Sequence, residues 1–236
     1  MARKLKVGVL ASGGGTNLQA IIDRAADGRI DAEVAIVISD VRDAYALERA
    51  RIAGIHYAFI DPRDLRLRGR RSSASADEGV PDRDAPPHDR RASFNRAVIE
   101  KLRDHEVELV ALAGYLRITS DEFVDAFEGR IMNIHPSLIP SFCGKGMHGM
   151  RVHQAALDYG VKVSGCTVHF VTKEVDAGPI IIQRTAPVLD DDTPETLQAR
   201  VLEQEHQAYS EAIQLFAEGR LRIVGRQVQV MAREGG

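Results

Sequence analysis

Cysteine is scarce in this chain of 236 residues, which holds two, Cys143 and Cys166. They lie too far apart for a C-x-x-C motif, so a disulfide framework, a dithiol redox centre and a cysteine-based zinc site are excluded as organising features. A reducing, cytoplasmic setting is expected. An excess of charge of one sign is also missing: the net charge is −3, which implies neither a nucleic-acid surface nor an anionic membrane as partner. No apolar run approaches the length of a membrane span. The basic opening and the short run Val7-Gly8-Val9-Leu10-Ala11 superficially resemble a signal peptide, but the run ends at once in a glycine turn, as a buried first strand would. A metal signature is lacking too. His148 and His153 have no carboxylate or cysteine at ligand spacing and are expected to serve surface or packing roles, so no metal is expected. The partners expected are small molecules, with the chain itself a monomer or homodimer.

The length suits one α/β domain with a substantial core. Runs rich in Val, Ile and Leu at 5–11, 33–39, 57–60, 107–113 and 131–135 alternate with helical patterns at 17–26, 44–53, 94–104 and 121–126. Such alternation predicts a doubly wound, mostly parallel sheet. Strands at 162–172 and 179–188 follow, then a helix beginning at Thr193-Pro194, with Pro at its first position. Leu197, Val201, Ala208, Ala212 and Phe216 recur at helical spacing and are expected in the core. Terminal strands are read at 220–224 and 227–230. One stretch breaks the pattern: residues 61–90 show no periodicity and carry a serine cluster and several prolines, which predicts a disordered insertion.

Three motifs carry chemistry. Asn133-Ile134-His135-Pro136-Ser137 closes a strand-like run, and Pro136, Pro140 and Gly144 then forbid regular structure. This places Asn133 and His135 at a strand's carboxyl end, the edge where open α/β sheets bind ligands. With Asp176 in Val175-Asp176-Ala177-Gly178-Pro179, they supply an amide donor, an imidazole proton donor and a carboxylate that keeps the imidazole charged. That set stabilises the oxyanion of an acyl transfer without a protein nucleophile. Ser12-Gly13-Gly14-Gly15-Thr16-Asn17 follows the first strand and opens the first helix, a phosphate-binding arrangement. Asp40, ending the second strand, mimics the ribose-binding acid of dinucleotide folds, but Leu18 stands at the third glycine position and the fingerprint fails. Finally, the backbone of Leu116-Arg117-Ile118-Thr119, after the fourth strand, is placed to pair with a flat, amide-bearing heterocycle.

Taken together, the segments S-G-G-G-T-N-L-Q at 12–19, A-G-Y-L-R-I at 113–118, N-I-H-P-S-L-I-P at 133–140, V-H-F-V at 168–171, V-D-A-G-P at 175–179 and Q-E-H at 204–206 resemble the phosphoribosylglycinamide formyltransferase family. The resemblance implies a Rossmann-like formyltransferase fold in one domain and 10-formyltetrahydrofolate as co-substrate. It implies that Gly15, Thr16, Asn17 and Glu205 hold phosphoribosylglycinamide. Arg91, Leu116, Arg117, Ile118, Thr119 and Asn133 would bind the folate, with residues 173–176 beside the pterin, and Asn133, His135 and Asp176 would be catalytic. The insertion before Arg91 and the glycine-rich loop 141–149 depart from the family pattern. Two alternatives share some of these features: a formyltetrahydrofolate hydrolase, in which water attacks, and a non-catalytic nucleotide-binding module.

Overall fold

A computed structural model describes residues 3–63 and 87–233, with the side chains of 87–91 left aside. Strand β1 (Leu5–Leu10) leads into helix α1 (Thr16–Ala26), β2 (Ala32–Ser39) into α2 (Tyr45–Ile52), and β3 (His56–Phe59) precedes α3 (Pro87–Asp104). Then come β4 (Leu109–Leu112), α4 (Asp121–Ala126), β5 (Ile131–His135) and α5 (Met150–Tyr159). The chain continues through β6 (Val163–Phe170), β7 (Ile180–Pro187), α6 (Pro194–Ala217), β8 (Leu221–Val224) and β9 (Gln227–Val230).

The strands form one nine-stranded sheet in the order β3-β2-β1-β4-β5-β6-β7-β9-β8. Pairing is parallel from β3 to β5 and antiparallel across β5-β6 and β6-β7. The order reverses between β1 and β4, so the loops after these strands diverge to opposite sides and leave a crevice above their carboxyl ends.

Alternation along the strands divides the core between the two faces. Val7, Val9, Ala11 and Val37 pack with Leu18 and Ile21 of α1, with α2, and with Leu197, Val201, Ala208 and Ala212 of α6. Leu10, Ile36 and Ile38 face the other way, against Phe94, Val98 and Leu102 of α3 and Phe123 and Phe127. Both faces are covered by helices, which is why the parallel strands read as nearly continuous apolar runs. Each large aliphatic side chain buried this way contributes roughly 1.5–3 kcal/mol. Helix α6 also has the start expected of it: Thr193 forms a capping box with Thr196, and Pro194 occupies the first turn.

Two expectations need correction. Helix α3 begins at Pro87 rather than near residue 94, so the last residues of the expected insertion are helical. The rest of that insertion, residues 64–86, lies outside the described residues. Helix α5 has no counterpart among the elements read from the sequence; the glycines ahead of it obscured its amphipathic pattern, in which Val152, His153 and Ala156 are buried.

Candidate active site

The crevice is a cavity of about 590 Å³ bounded by residues 13–17, the strip Leu112–Thr119, the end of β5, the loop 144–149 and Thr172–Asp176. Asn133, His135 and Asp176 all line it, as do Gly15, Thr16, Asn17, Glu205, Leu116, Arg117, Ile118 and Thr119. Of the expected site residues, Arg91 alone is not placed in this way: its backbone belongs to α3 and its side chain lies outside the described residues.

Asn133 and His135 alternate along β5 on the side facing the cavity. In the antiparallel pairing of β5 with β6, Asn133 stands opposite His169. The buried His169 ring places Nδ1 3.0 Å from the carbonyl oxygen of Phe170, which can only accept, so Nδ1 carries the hydrogen. Its Nε2 then accepts from the Asn133 amide at 3.2 Å. Burial pushes the His169 imidazole below the ordinary histidine range, against the opposing pull of the Phe170 carbonyl and the Asp176 carboxylate. A neutral His169 therefore fixes which end of the Asn133 side chain is the donor. Within V-H-F-V nothing in the sequence marks His169 for this role; only the strand register reveals it.

His135 is 4% exposed. Its Nε2 donates to the carbonyl oxygen of Phe142 at 2.9 Å, and its Nδ1 lies 3.8 Å from Asp176 Oδ2. That carboxylate oxygen accepts from the backbone N–H of Gly144 at 2.8 Å. The loop 142–144 thus holds the imidazole through one peptide group and the carboxylate through the next. Ser137 supports the turn by donating its hydroxyl to the Ser141 carbonyl at 2.6 Å, which accounts for the serine in N-I-H-P-S.

Both anchors of this arrangement have left-handed backbones: φ is 50° at Phe142 and 53° at Asp176. Such conformations cost of order 1 kcal/mol or more in a non-glycine residue and persist where the surroundings over-determine them. Gly178 lets Asp176 reach its place. A Cβ there would lie 1.8 Å from the Phe170 carbonyl oxygen, so the chain can pass this close to β6 only as glycine.

At the other end of the cavity, α1 starts at Gly15 with φ 69° and no side-chain cap. The carbonyl of Gly13 accepts from Ala46 N–H at 3.1 Å and that of Gly14 from Arg49 Nε at 2.8 Å. With these carbonyls drawn toward α2, the loop and the uncapped first turn present N–H groups to the cavity, as an anion site requires. Asn17 donates to Glu205 at 2.7 Å, both side chains being buried, and burial raises the Glu205 carboxyl above its ordinary range.

The strip after β4 bears the most exposed apolar side chains of the cavity. Leu116 is 60% and Ile118 45% exposed, and Val175 across from them 39%. Exposed large aliphatics converging on one cavity suit a ligand with a flat apolar body. The backbone of the strip is partly committed, however, because Leu116 N–H donates to Ser12 Oγ.

A model of the formyl transferase family matches residues 5–213. Over 218 residues the chain is 39% identical to phosphoribosylglycinamide formyltransferase of Haemophilus influenzae, covering 92% of this chain and 90% of that protein. The chain belongs to the phosphoribosylglycinamide formyltransferase family. It is also 41% identical, over 93% of its length, to the trifunctional purine biosynthetic protein adenosine-3 of Gallus gallus, of which it spans 19%. The glycinamide ribonucleotide transformylase 1 structure from Symbiobacterium toebii superposes with a TM-score of 0.83 at 46% identity, covering 98% of this chain and 96% of that one. The formyltransferase fold, a single nine-stranded mixed sheet, is therefore that of the family. No helix among the described residues is long and apolar enough to cross a membrane.

Proposed function

We propose that the chain transfers the formyl group of 10-formyltetrahydrofolate to the primary amine of 5-phosphoribosylglycinamide, giving 5-phosphoribosyl-N-formylglycinamide and tetrahydrofolate in de novo purine biosynthesis. The observation that carries this reading is the convergence on one cavity of an Asn133–His135–Asp176 set, an amide-lined helix start and an exposed apolar strip. The phosphate lies at residues 13–17, with Asn17 and Glu205 toward the ribose and glycinamide. The heterocycle of the folate lies against Leu116–Thr119 and Val175, and Arg91 meets its tail.

The amine attacks the formyl carbon, and the carbonyl oxygen gathers negative charge. Asn133 has two amide hydrogens; one goes to His169, which leaves the other for that oxygen. Nε2 of His135 is committed to the Phe142 carbonyl, so Nδ1–H is the donor. The 3.8 Å separation from Asp176 is too long for a direct hydrogen bond and leaves Nδ1 room to engage the oxyanion, with the carboxylate beside it. Collapse of the intermediate expels the folate nitrogen, and the amine's proton ends on it, with His135 and Asp176 as the acid–base pair beside that path. Holding both reactants in one cavity removes an entropic barrier that can reach ~7–11 kcal/mol.

The decisive assay follows tetrahydrofolate release with and without phosphoribosylglycinamide. Release that depends on the amine is expected; release without it would identify a hydrolase, and retention of a nicotinamide dinucleotide with no turnover would identify a binding module. Asp176→Asn keeps the shape of the side chain and removes its charge. Turnover should fall about 10²–10⁴-fold, the usual worth of a positioned proton donor. A variant with the parent's rate would reduce Asp176 to a turn residue.

A further inference from the structure

Asp40 takes no part in the mechanism above, yet its side chain is only 8% exposed and both carboxylate oxygens are engaged. Oδ1 accepts the Ser12 hydroxyl at 2.6 Å, and Oδ2 accepts Arg117 Nε at 2.8 Å. Ser12 in turn accepts the backbone N–H of Leu116 at 3.0 Å. One carboxylate at the end of β2 thus grips two successive residues of the strip after β4, reaching across β1: Leu116 through a serine, Arg117 directly. The Arg117 guanidinium also lies over the Phe94 ring, 5.2 Å from its centroid. Each carboxylate oxygen already accepts from a protein donor in a side chain that is nearly buried, so the group faces the strip.

Leu116 and Ile118 project exposed apolar side chains into the cavity, and Gly114 has a left-handed backbone, φ 70°, where the strip leaves β4. We infer that Asp40, with Ser12, is a positioning residue for the folate: through Leu116 and Arg117 it holds the start of the strip in the shape that receives the heterocycle and sets affinity for the formyl donor alone. This inference rests on the assignment of the strip to the folate under the proposed function. Asp40 touches neither the phosphate loop's ligand-facing side nor the Asn133–His135–Asp176 set, so its effect is confined to one substrate.

Two variants separate the links. Asp40→Asn keeps an acceptor for Ser12 but turns an amide donor toward Arg117 Nε–H, breaking the direct bond. Ser12→Ala is a smaller lesion that frees Leu116 and leaves Asp40 with Arg117. Each should raise the KM for 10-formyltetrahydrofolate about tenfold, roughly the worth of a charge-assisted or buried hydrogen bond, while kcat and the KM for phosphoribosylglycinamide stay within about twofold. The double variant should weaken folate binding by less than the product of the single effects, because the two bonds serve one strip. Calorimetric titration with tetrahydrofolate is run in parallel on all proteins. A wild type that binds tetrahydrofolate but transfers no formyl group overturns the proposed function, whereas variants that then bind about tenfold more weakly still support the positioning role. Unchanged folate affinity in both variants overturns the inference, and so does a parallel loss in kcat and in both KM values with a lowered unfolding midpoint, which would make the network a general support of the fold.

Discussion

Single residues decide whether the loop at 13–17 serves a ligand or the fold, and two adjacent glycines answer differently. At Gly15 a Cβ would sit 2.9 Å from the Cα and Cβ of Ala46, on a backbone already at φ 69°. Gly15→Val should therefore destabilise the protein by ~2–5 kcal/mol, from left-handed strain and overpacking together, and impair both substrates. At Gly14 a Cβ meets nothing within 4 Å, and the backbone is not left-handed. Gly14→Ala should leave stability within ~1 kcal/mol of the parent but raise the KM for phosphoribosylglycinamide by about tenfold or more, with the folate KM unchanged. Denaturant unfolding and steady-state kinetics read the two outcomes; an unaltered glycinamide KM in Gly14→Ala would remove the phosphate from this loop. That Asn133, His135 and Asp176 would meet in one cavity was legible in the sequence because polar residues stood beside Pro and Gly at two marked places. Their supports were not. His169 depends on the β5–β6 register, Phe142 contributes only a carbonyl and Gly144 only an N–H, and backbone groups leave no mark in residue type.

Among the elements, those with two-sided burial or a strong cap were readable: α4 and β5 have the bounds their patterns predict, and α6 starts at its capping box. Helix α5 escaped because the glycines ahead of it break the pattern and it opens from Gly149 without a side-chain cap. What ties α6 to the site also escaped. Its Tyr209 was outside the periodic set, yet it is 1% exposed and its hydroxyl lies 3.0 Å from the carbonyl oxygens of both Leu112 and Met132. This one hydroxyl joins the helix to the last residue of β4 and to Met132 in β5, the neighbours of the Leu116 strip and of Asn133. Tyr209→Phe should cost ~1–2 kcal/mol, lowering Tm by roughly 2–8 °C in a domain of this size. A scanning calorimetry trace unchanged by the substitution would show that the strand ends need no such tie.

For the molecule as a whole, the doubly wound order was legible because apolar strand runs alternate with helical patterns along the sequence, whereas buried titratable groups advertise nothing. His153 was expected to be a surface or packing residue, and the structure makes it a packing one: it is 1% exposed, with Nδ1 lacking any hydrogen-bond partner. Burial pushes its imidazole down to about 4 from an ordinary 6.5, with the neighbouring charge of His135 lowering it further. The folded protein then holds His153 neutral in a range where the unfolded chain takes up a proton. Stability is present in full above pH 6.5 and is lost as pH falls from there toward about 4, a loss on the order of 3 kcal/mol at most. Asp192 acts in a different window. Asp192 is held well below the ordinary range by Arg200, so its contribution is complete above 3.8 and declines only below it. Urea midpoints measured at intervals between pH 7 and pH 4 should fall steadily, while His153→Leu, which fills similar space without a titrating group, should make that decline shallower, with His169 supplying part of what remains, and leave the steeper loss below pH 4 in place. Parallel slopes in the two proteins above pH 4 would place the acid sensitivity of the fold in another group.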